Sequence, residues 1–453
     1  MIFTKSGTSL ADFNAMREQI DGGKGATVAR DVVDWQLYTT FLTADQAKNI
    51  SQAFEGIIAS IEVAVPLENA WVDLDQEPFV ECEVEADMRQ TAKQADGAVE
   101  TSLPAVTASS VTAANTATTY VLYELEDAFH HQRLLSAPPG TPIDTNRFLL
   151  PPYRFESYAG EGSTIYVVDT GCNLDSPELQ PSPWRSVRSK VVFYEHHLGQ
   201  IYPYNTPSQR TIWLPKDIRD NAPNGGHGTK VAIMAAGLTL GVAHRANLVC
   251  VKQQEYVRAT LVDGRPALKM LPARLGAAIE ALTWILQDVR DQRTITGNPR
   301  SKVVVNLSFG GPNLQHLPPL QAARAAYGYQ KFRQLIEQMW AEDIVVVAAG
   351  GNAEPQRRHY LHDYIPTAWG SADNAMITVG SVDADGKYSR KNVREQGPGL
   401  GGSMTVYAQG WDVACLRSPV TGFVMQDSGT SFAAPIVVRC SRKTNVFTTN
   451  FLL

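Results

Sequence analysis

Three short apolar runs frame the second half of the chain: Ser163-Thr-Ile-Tyr-Val-Val-Asp169, Val303-Val-Val-Asn-Leu-Ser308 and Ile344-Val-Val-Val-Ala-Ala349. Each is shorter than a helix needs, rich in β-branched residues, and without a regular polar alternation. That pattern predicts parallel strands buried on both faces. Between the first two, apolar residues at 275, 278, 279, 282, 285 and 286 repeat with a helical period. Strands separated by helices predict an α/β core with a mostly parallel central sheet.

The first 80 residues follow a different rhythm. Ser9-Leu-Ala-Asp12 and Thr43-Ala-Asp-Gln46 have the form of helix N-caps, the second a full capping box. Leu37–Leu42 and Ile57–Val63 read as strands. Residues 1–80 are therefore expected to form a small α+β domain. From 84 to 118 Glu and Asp give way to Ala, Thr, Ser and Val. Such a stretch buries too little to order itself, so 81–119 is expected to be a linker. A large domain then spans 120–453, with Pro138-Pro-Gly and Pro151-Pro as an extended lead-in.

Composition narrows the function classes. With 453 residues, 44% of them hydrophobic and 19% charged, the chain can fill one large core and a smaller one. A net charge of −6 and the lack of a basic block argue against nucleic-acid binding. No apolar run approaches the roughly 18–20 residues of a membrane span. The start, Met1-Ile-Phe-Thr-Lys-Ser-Gly, lacks the apolar core of a signal peptide.

The chemistry sits at the ends of the apolar runs. Asp169 closes the first run before a Thr-Gly turn, at the strand end where open α/β sheets carry their sites. Asn224-Gly-Gly-His227-Gly-Thr-Lys-Val-Ala-Ile-Met-Ala-Ala-Gly237 is a glycine turn feeding a small-residue helix, with His227 near its start. Gly350-Gly351-Asn352 follows the third run. In Ser428-Gly-Thr-Ser431-Phe-Ala-Ala-Pro435, Gly429 permits a sharp turn and Pro435 is tolerable in a first helical turn. A serine hydroxyl attacks a carbonyl only with a proton acceptor and N–H donors beside it. A carboxylate, an imidazole, a hydroxyl and an amide together could supply that set.

In order and in local string, these segments resemble the subtilisin-like serine proteases, the subtilase family; a proteinase K-like fungal type is one form this could take. The resemblance implies a three-layer subtilisin-like fold with a mostly parallel sheet, preceded by a propeptide-like α+β domain. It implies Asp169, His227 and Ser431 as catalytic residues and Asn352 as oxyanion donor. Ser308, Phe309, Gly310 and Gly311, with Ala349 and Gly350, would bind substrate backbone, small residues leaving an edge open for strand addition. Leu240-Gly-Val-Ala-His-Arg-Ala-Asn-Leu-Val-Cys-Val-Lys252 is similar to the family's loop and following strand. The segment from Tyr38 to Glu62 resembles the end of an inhibitor-type propeptide. The implied protein is a serine endopeptidase made as a zymogen, with a peptide or protein substrate and its own N-terminal domain as partners. The resemblance also suggests secretion.

This chain departs from the family pattern at His244 (usually Pro), Lys230 (commonly His), Ile233 (Gly) and Gly350 (Ala). The last exchange is expected to loosen the substrate-facing edge. His130-His131, His196-His197 and His359-x-x-His362 lack a second ligand cluster, so no metal site is expected. The family often holds structural calcium, but no Asp-rich loop here matches a site. Among five cysteines (82, 172, 250, 415, 440) at least one must be unpaired, and Cys172 reads as a small core residue. Beyond Cys440 the helical pattern dissolves, which suggests a chain truncated at both ends. The competing expectation is a catalytically inactive subtilase-like binding or scaffold protein.

Overall fold

The computed structural model describes residues 1–23, 26–28, 32–40, 42–62, 66–69, 106–112, 119–138, 140–143, 146–156, 158–192, 218–220, 225–260, 266–271, 273–312, 319–353, 360–370, 376–389, 392, 402–417 and 424–438. Seven parallel strands form the central sheet in the spatial order Val187–Val191, Asn247–Lys252, Ser163–Asp169, Lys302–Leu307, Ile344–Ala349, Met376–Val382, Val406–Gln409. The three apolar runs lie side by side at its centre. Their pleat sends Ile165, Val167, Val304, Val345 and Val347 to one face and Tyr166, Val168, Val303, Val305 and Val346 to the other. Both faces are covered, which is why no polar alternation marks these strands.

On one face lie the helices His227–Ala236 and Thr430–Val437; on the other lie Leu275–Thr296 and Pro319–Ala341. The result is the expected three-layer α/β arrangement. The predicted 275–286 helix is longer than its apolar pattern, because beyond Val289 its face turns to solvent.

The N-terminal residues form a four-stranded antiparallel sheet in the order Ala26–Val28, Leu37–Thr39, Ile2–Thr4, Ile58–Ile61. The helices Leu10–Asp21 and Ala44–Ala53 belong to the same unit. Both caps are present: Ser9 accepts from Asp12 N, and Thr43 makes the reciprocal box with Gln46. Alternation divides the sheet's two faces. Ile2, Tyr38 and Ile58 pack with Phe13 and Met16 in the unit's own core, whereas Phe3, Trp35 and Leu37 join the core of the long helices. There Glu62 accepts the backbone N–H groups of Tyr327 and Gly328, each at 2.7 Å. A Cβ at Gly328 would stand 2.8 Å from the Glu62 carboxylate, so this close approach needs glycine.

One expectation fails. Part of the 81–119 linker, Val106–Thr112, is a strand paired antiparallel with Thr119–Leu125, which in turn pairs with Tyr153–Glu156. Its Val and Thr content, which looked like filler, is also what a strand favours. The long-range partner that makes the difference is invisible locally.

Candidate active site

Asp169 ends its strand opposite Lys252 in the parallel register and is 1% exposed. Its Oδ1 accepts from Thr170 N at 2.7 Å and lies 2.8 Å from His227 Nδ1. With Asp169 a carboxylate, Nδ1 carries the hydrogen and Nε2 faces away as the acceptor. Burial disfavours the imidazolium, but the Asp169 charge and hydrogen bond, with Asp220 and Asp427 further off, outweigh it and hold the His227 pKa above its ordinary value.

The helix start explains the glycines around His227. Gly225 and Gly226 take φ of 88° and 92°, angles that a side chain resists. A Cβ on Gly228 would fall 2.9 Å from that of Asp169, so the helix can approach the carboxylate only with glycine there. Asp220 caps the helix from outside, its Oδ2 accepting from Thr229 N at 2.7 Å and Thr229 Oγ1 at 2.9 Å. Asp220 was not singled out in the sequence; nothing local marks a cap supplied from a separate segment.

Ser431 lies in the first turn of the Thr430–Val437 helix. Its hydroxyl donates to the Ser308 carbonyl at 3.4 Å, and Ser308 Oγ donates back to Ser431 O at 3.0 Å. The next residue, Phe432, packs its ring 5.5 Å from the His227 imidazole. Asn352 stands on the other side of the turn. Its Oδ1 accepts from Thr430 N at 2.9 Å and Thr430 Oγ1 at 3.0 Å. Nδ2 is then directed over Gly429, where an added Cβ would sit 3.0 Å from it. The structure thus gathers Asp169, His227, Ser431 and Asn352 at the C-terminal end of the sheet.

Phe309–Pro312 is a strand of a separate four-stranded sheet in the order Ala273–Arg274, Pro66–Asn69, Phe309–Pro312, Tyr364–Ile365. The chain's own segment Pro66–Asn69 runs antiparallel on the edge read as substrate-binding, Asn69 opposite Phe309 and Glu68 opposite Gly310. It also pairs with Ala273–Arg274 on its other side. Ala349 and Gly350 are placed differently. Ala349 is in the core, and Gly350 N donates to Val379 O at 2.8 Å behind Asn352. Gly351 N is held by Thr430 Oγ1 at 3.0 Å. Both N–H groups of the Gly-Gly pair thus have acceptors within the protein.

Cys172 is buried in the core, as expected, and is in addition disulfide-bonded to Cys250 on the strand next to that of Asp169. Cysteine pairing across 78 residues leaves no local signal. Cys415 is a buried free thiol, pushed up to about 12 by burial. His130 meets Gln409, and His131 meets the Leu240 carbonyl; His196, His197, His359 and the residues beyond 438 lie outside the described residues, as does the His362 side chain. Among the described residues no group of three or more His, Cys, Asp or Glu could hold a metal ion, and no helix is long and apolar enough to cross a membrane.

Residues 160–441 match the profile of the Subtilase family. The chain is 26% identical over 298 residues to subtilisin-like protease 2 of Arthroderma otae, covering 66% of this chain and 53% of that protein. It is 25% identical over 286 residues to alkaline protease 1 of Aspergillus clavatus, covering 63% and 52%. The chain thus spans about half the length of these relatives. Among solved structures, an epidermin leader peptide processing serine protease from Staphylococcus aureus superimposes with a TM-score of 0.53 at 14% identity, covering 97% of this chain and 86% of that one.

Proposed function

Because this chain belongs to the subtilase family of serine proteases, we propose that it is a serine endopeptidase and that residues 1 to about 69 hold it as a zymogen. The observation that carries the reading is the 2.8 Å contact of His227 Nδ1 with buried Asp169, beside the turn of Ser431. In the proposed reaction Ser431 Oγ attacks the peptide carbonyl and His227 Nε2 takes its proton, later passing it to the leaving amine. Asp169 fixes the tautomer and stabilises the imidazolium. The Asn352 Nδ2 and the backbone N–H of Ser431 receive the oxyanion. In the proposed reaction the Ser431 hydroxyl leaves the Ser308 carbonyl to meet His227; such contacts are often loose before substrate binds.

The zymogen reading draws support from Pro66–Asn69 on the edge strand. A segment that fills this edge excludes another polypeptide from it, and its register runs toward Ser308, whose carbonyl meets Ser431. Cleavage between Asn69 and the strand Val106–Thr112 would release the N-terminal domain and leave the three-stranded sheet on the protease. A fluorophosphonate probe tests both ideas. Ser431 should label rapidly after such a cut and slowly before it, and Ser431→Ala should not label at all. Casein hydrolysis by Ser431→Ala at the wild-type rate would sink the assignment.

A further inference from the structure

The helix that opens with His227 carries a lysine one turn on. Lys230 is 3% exposed, and its ammonium donates to Asp427 Oδ2 at 2.7 Å. Asp427 ends the strand Val424–Asp427, and its other oxygen accepts the N–H of Ser428 at 2.8 Å. Ser428 is held in turn by Asp412, accepting from its N–H at 2.9 Å and donating to its carboxylate at 3.2 Å. Ser431 follows three residues later. One carboxylate therefore grips both the histidine helix and the first residue of the nucleophile turn.

Packing does not ask for this pair. The next four helix positions, Val231, Ala232, Ile233 and Met234, are buried apolar residues, and Lys230, buried itself, reaches an Asp427 side chain that is 36% exposed, so an apolar side chain of similar volume at 230 would avoid the cost of burying the ammonium. We propose that Lys230 and Asp427 are positioning residues, a clamp that fixes the His227 helix against the Ser431 turn. The proposal rests on the serine-protease reading above.

The clamp also has a charge signature. His227 is faced by Asp169 from the sheet, Asp220 at the helix start and Asp427 from the nucleophile side, and Lys230, three residues on along its own helix, is tied to Asp427. Lys252, at the end of the neighbouring strand, donates to Arg219 O at 2.5 Å. Glu178 and Arg185 meet the far end of the helix. Asp427→Asn leaves the Lys230 ammonium, one helical turn from His227, unbalanced; Lys230→Met leaves the carboxylate. The two variants should move the imidazole in opposite directions, by roughly half a unit to one unit.

The test measures kcat, KM and fluorophosphonate labelling of Ser431 against pH in the cleaved enzyme and in Lys230→Met, Asp427→Asn, the double variant and Lys230→Arg. Histidine NMR titration reads His227 in the same proteins. The clamp predicts a fall in kcat of roughly 10 to 100-fold with KM nearly constant in both single variants. It predicts the acid limb lower in Asp427→Asn, higher in Lys230→Met, back near the wild-type position in the double variant, and rescue of kcat by Lys230→Arg. Acid limbs that stay put while kcat and melting temperature fall together would reduce the pair to a structural contact and overturn the proposal, as would wild-type kcat in both single variants. A wild type that never labels at Ser431 would instead refute the protease reading, and the His227 titration would still decide whether this pair sets its surroundings.

Discussion

The two faces of the central sheet are built for different work. On the face of His227 and Ser431 both helices are short, and every residue of Gly228–Ala236 and Thr430–Val437 is buried. Helices enclosed on all sides cannot shift without disturbing a close-packed core, so they suit side chains that must hold their positions to a fraction of an ångström. The opposite helices, Leu275–Thr296 and Pro319–Ala341, run to 22 and 23 residues. Besides the sheet they meet Phe3, Trp35 and Leu37 of the N-terminal sheet. Their second apolar face is covered by these residues of the N-terminal sheet. In the proposed zymogen, what covers one face would leave without moving what is fixed on the other.

Substitution of Asp169 should break the buried face most severely. Asp169→Asn keeps the volume but removes the charge and allows the wrong imidazole tautomer; in serine proteases with this constellation the cost is roughly 10⁴-fold in kcat. The pH profile should change as well. In the proposed mechanism the base works neutral, and Asp169 is the leading influence raising the His227 pKa against the pull of burial. In the wild type, activity therefore rises through a pKa above the usual histidine value as pH increases; in Asp169→Asn the residual activity should rise at lower pH. Hydrolysis rates across pH 5–9 read both effects, and a loss under tenfold would remove Asp169 from the mechanism.

Asn352→Ala is the next largest. It removes the proposed oxyanion donor and leaves Thr430 N without its 2.9 Å acceptor. The expected loss is roughly 100 to 1000-fold in kcat with KM little changed, the signature of a contact made only in the transition state; the magnitude is that known for the equivalent donor in subtilisin. An equal rise in KM would place Asn352 in ground-state binding instead.

What the sequence made legible follows the same division. The strands at 163–169, 303–307 and 344–349 and the glycine turns around His227 and Ser431 carry their information locally, in β-branched runs and in residues that only a tight approach requires. Contacts between distant segments were not legible. Asp220 capping the histidine helix, Cys172 bonded to Cys250, and Val106–Thr112 paired into a sheet each depend on a partner that no window of sequence contains. Lys230 was visible as a departure from the family pattern, but its meaning needed Asp427, 197 residues away. The occupied edge strand was equally hidden, since Pro66–Asn69 has nothing in its composition that marks it as a partner of Gly310.

The docking face should respond separately. Glu62→Ala leaves the N–H groups of Tyr327 and Gly328 without their 2.7 Å acceptor in a buried contact. Losing such bonds costs about 2–3 kcal/mol, or roughly 30 to 150-fold weaker inhibition of the cleaved enzyme by the free N-terminal domain. Turnover of the enzyme itself should not change. If the variant domain inhibits as tightly as wild type, the contact with the long helices is not what holds the domain in place.

The smallest effect should come from Thr43→Ala, which sharpens the comparison because it touches neither face of the central sheet. Thr43 and Gln46 close a reciprocal cap on Ala44–Ala53, a helix with no fully buried residue. Removing the cap costs about 1 kcal/mol, a shift of roughly 4–8 °C in the melting temperature of a domain of this size. The docked state shares that loss with the free folded state, so the cap cannot alter the intrinsic affinity of the interface. Inhibition by the free domain should therefore stay near the wild-type value while its melting temperature falls, as long as most of the domain remains folded. Inhibition that weakens tenfold with the domain still folded by circular dichroism would mean that this helix, and not only the sheet carrying Phe3 and Leu37, takes part in docking.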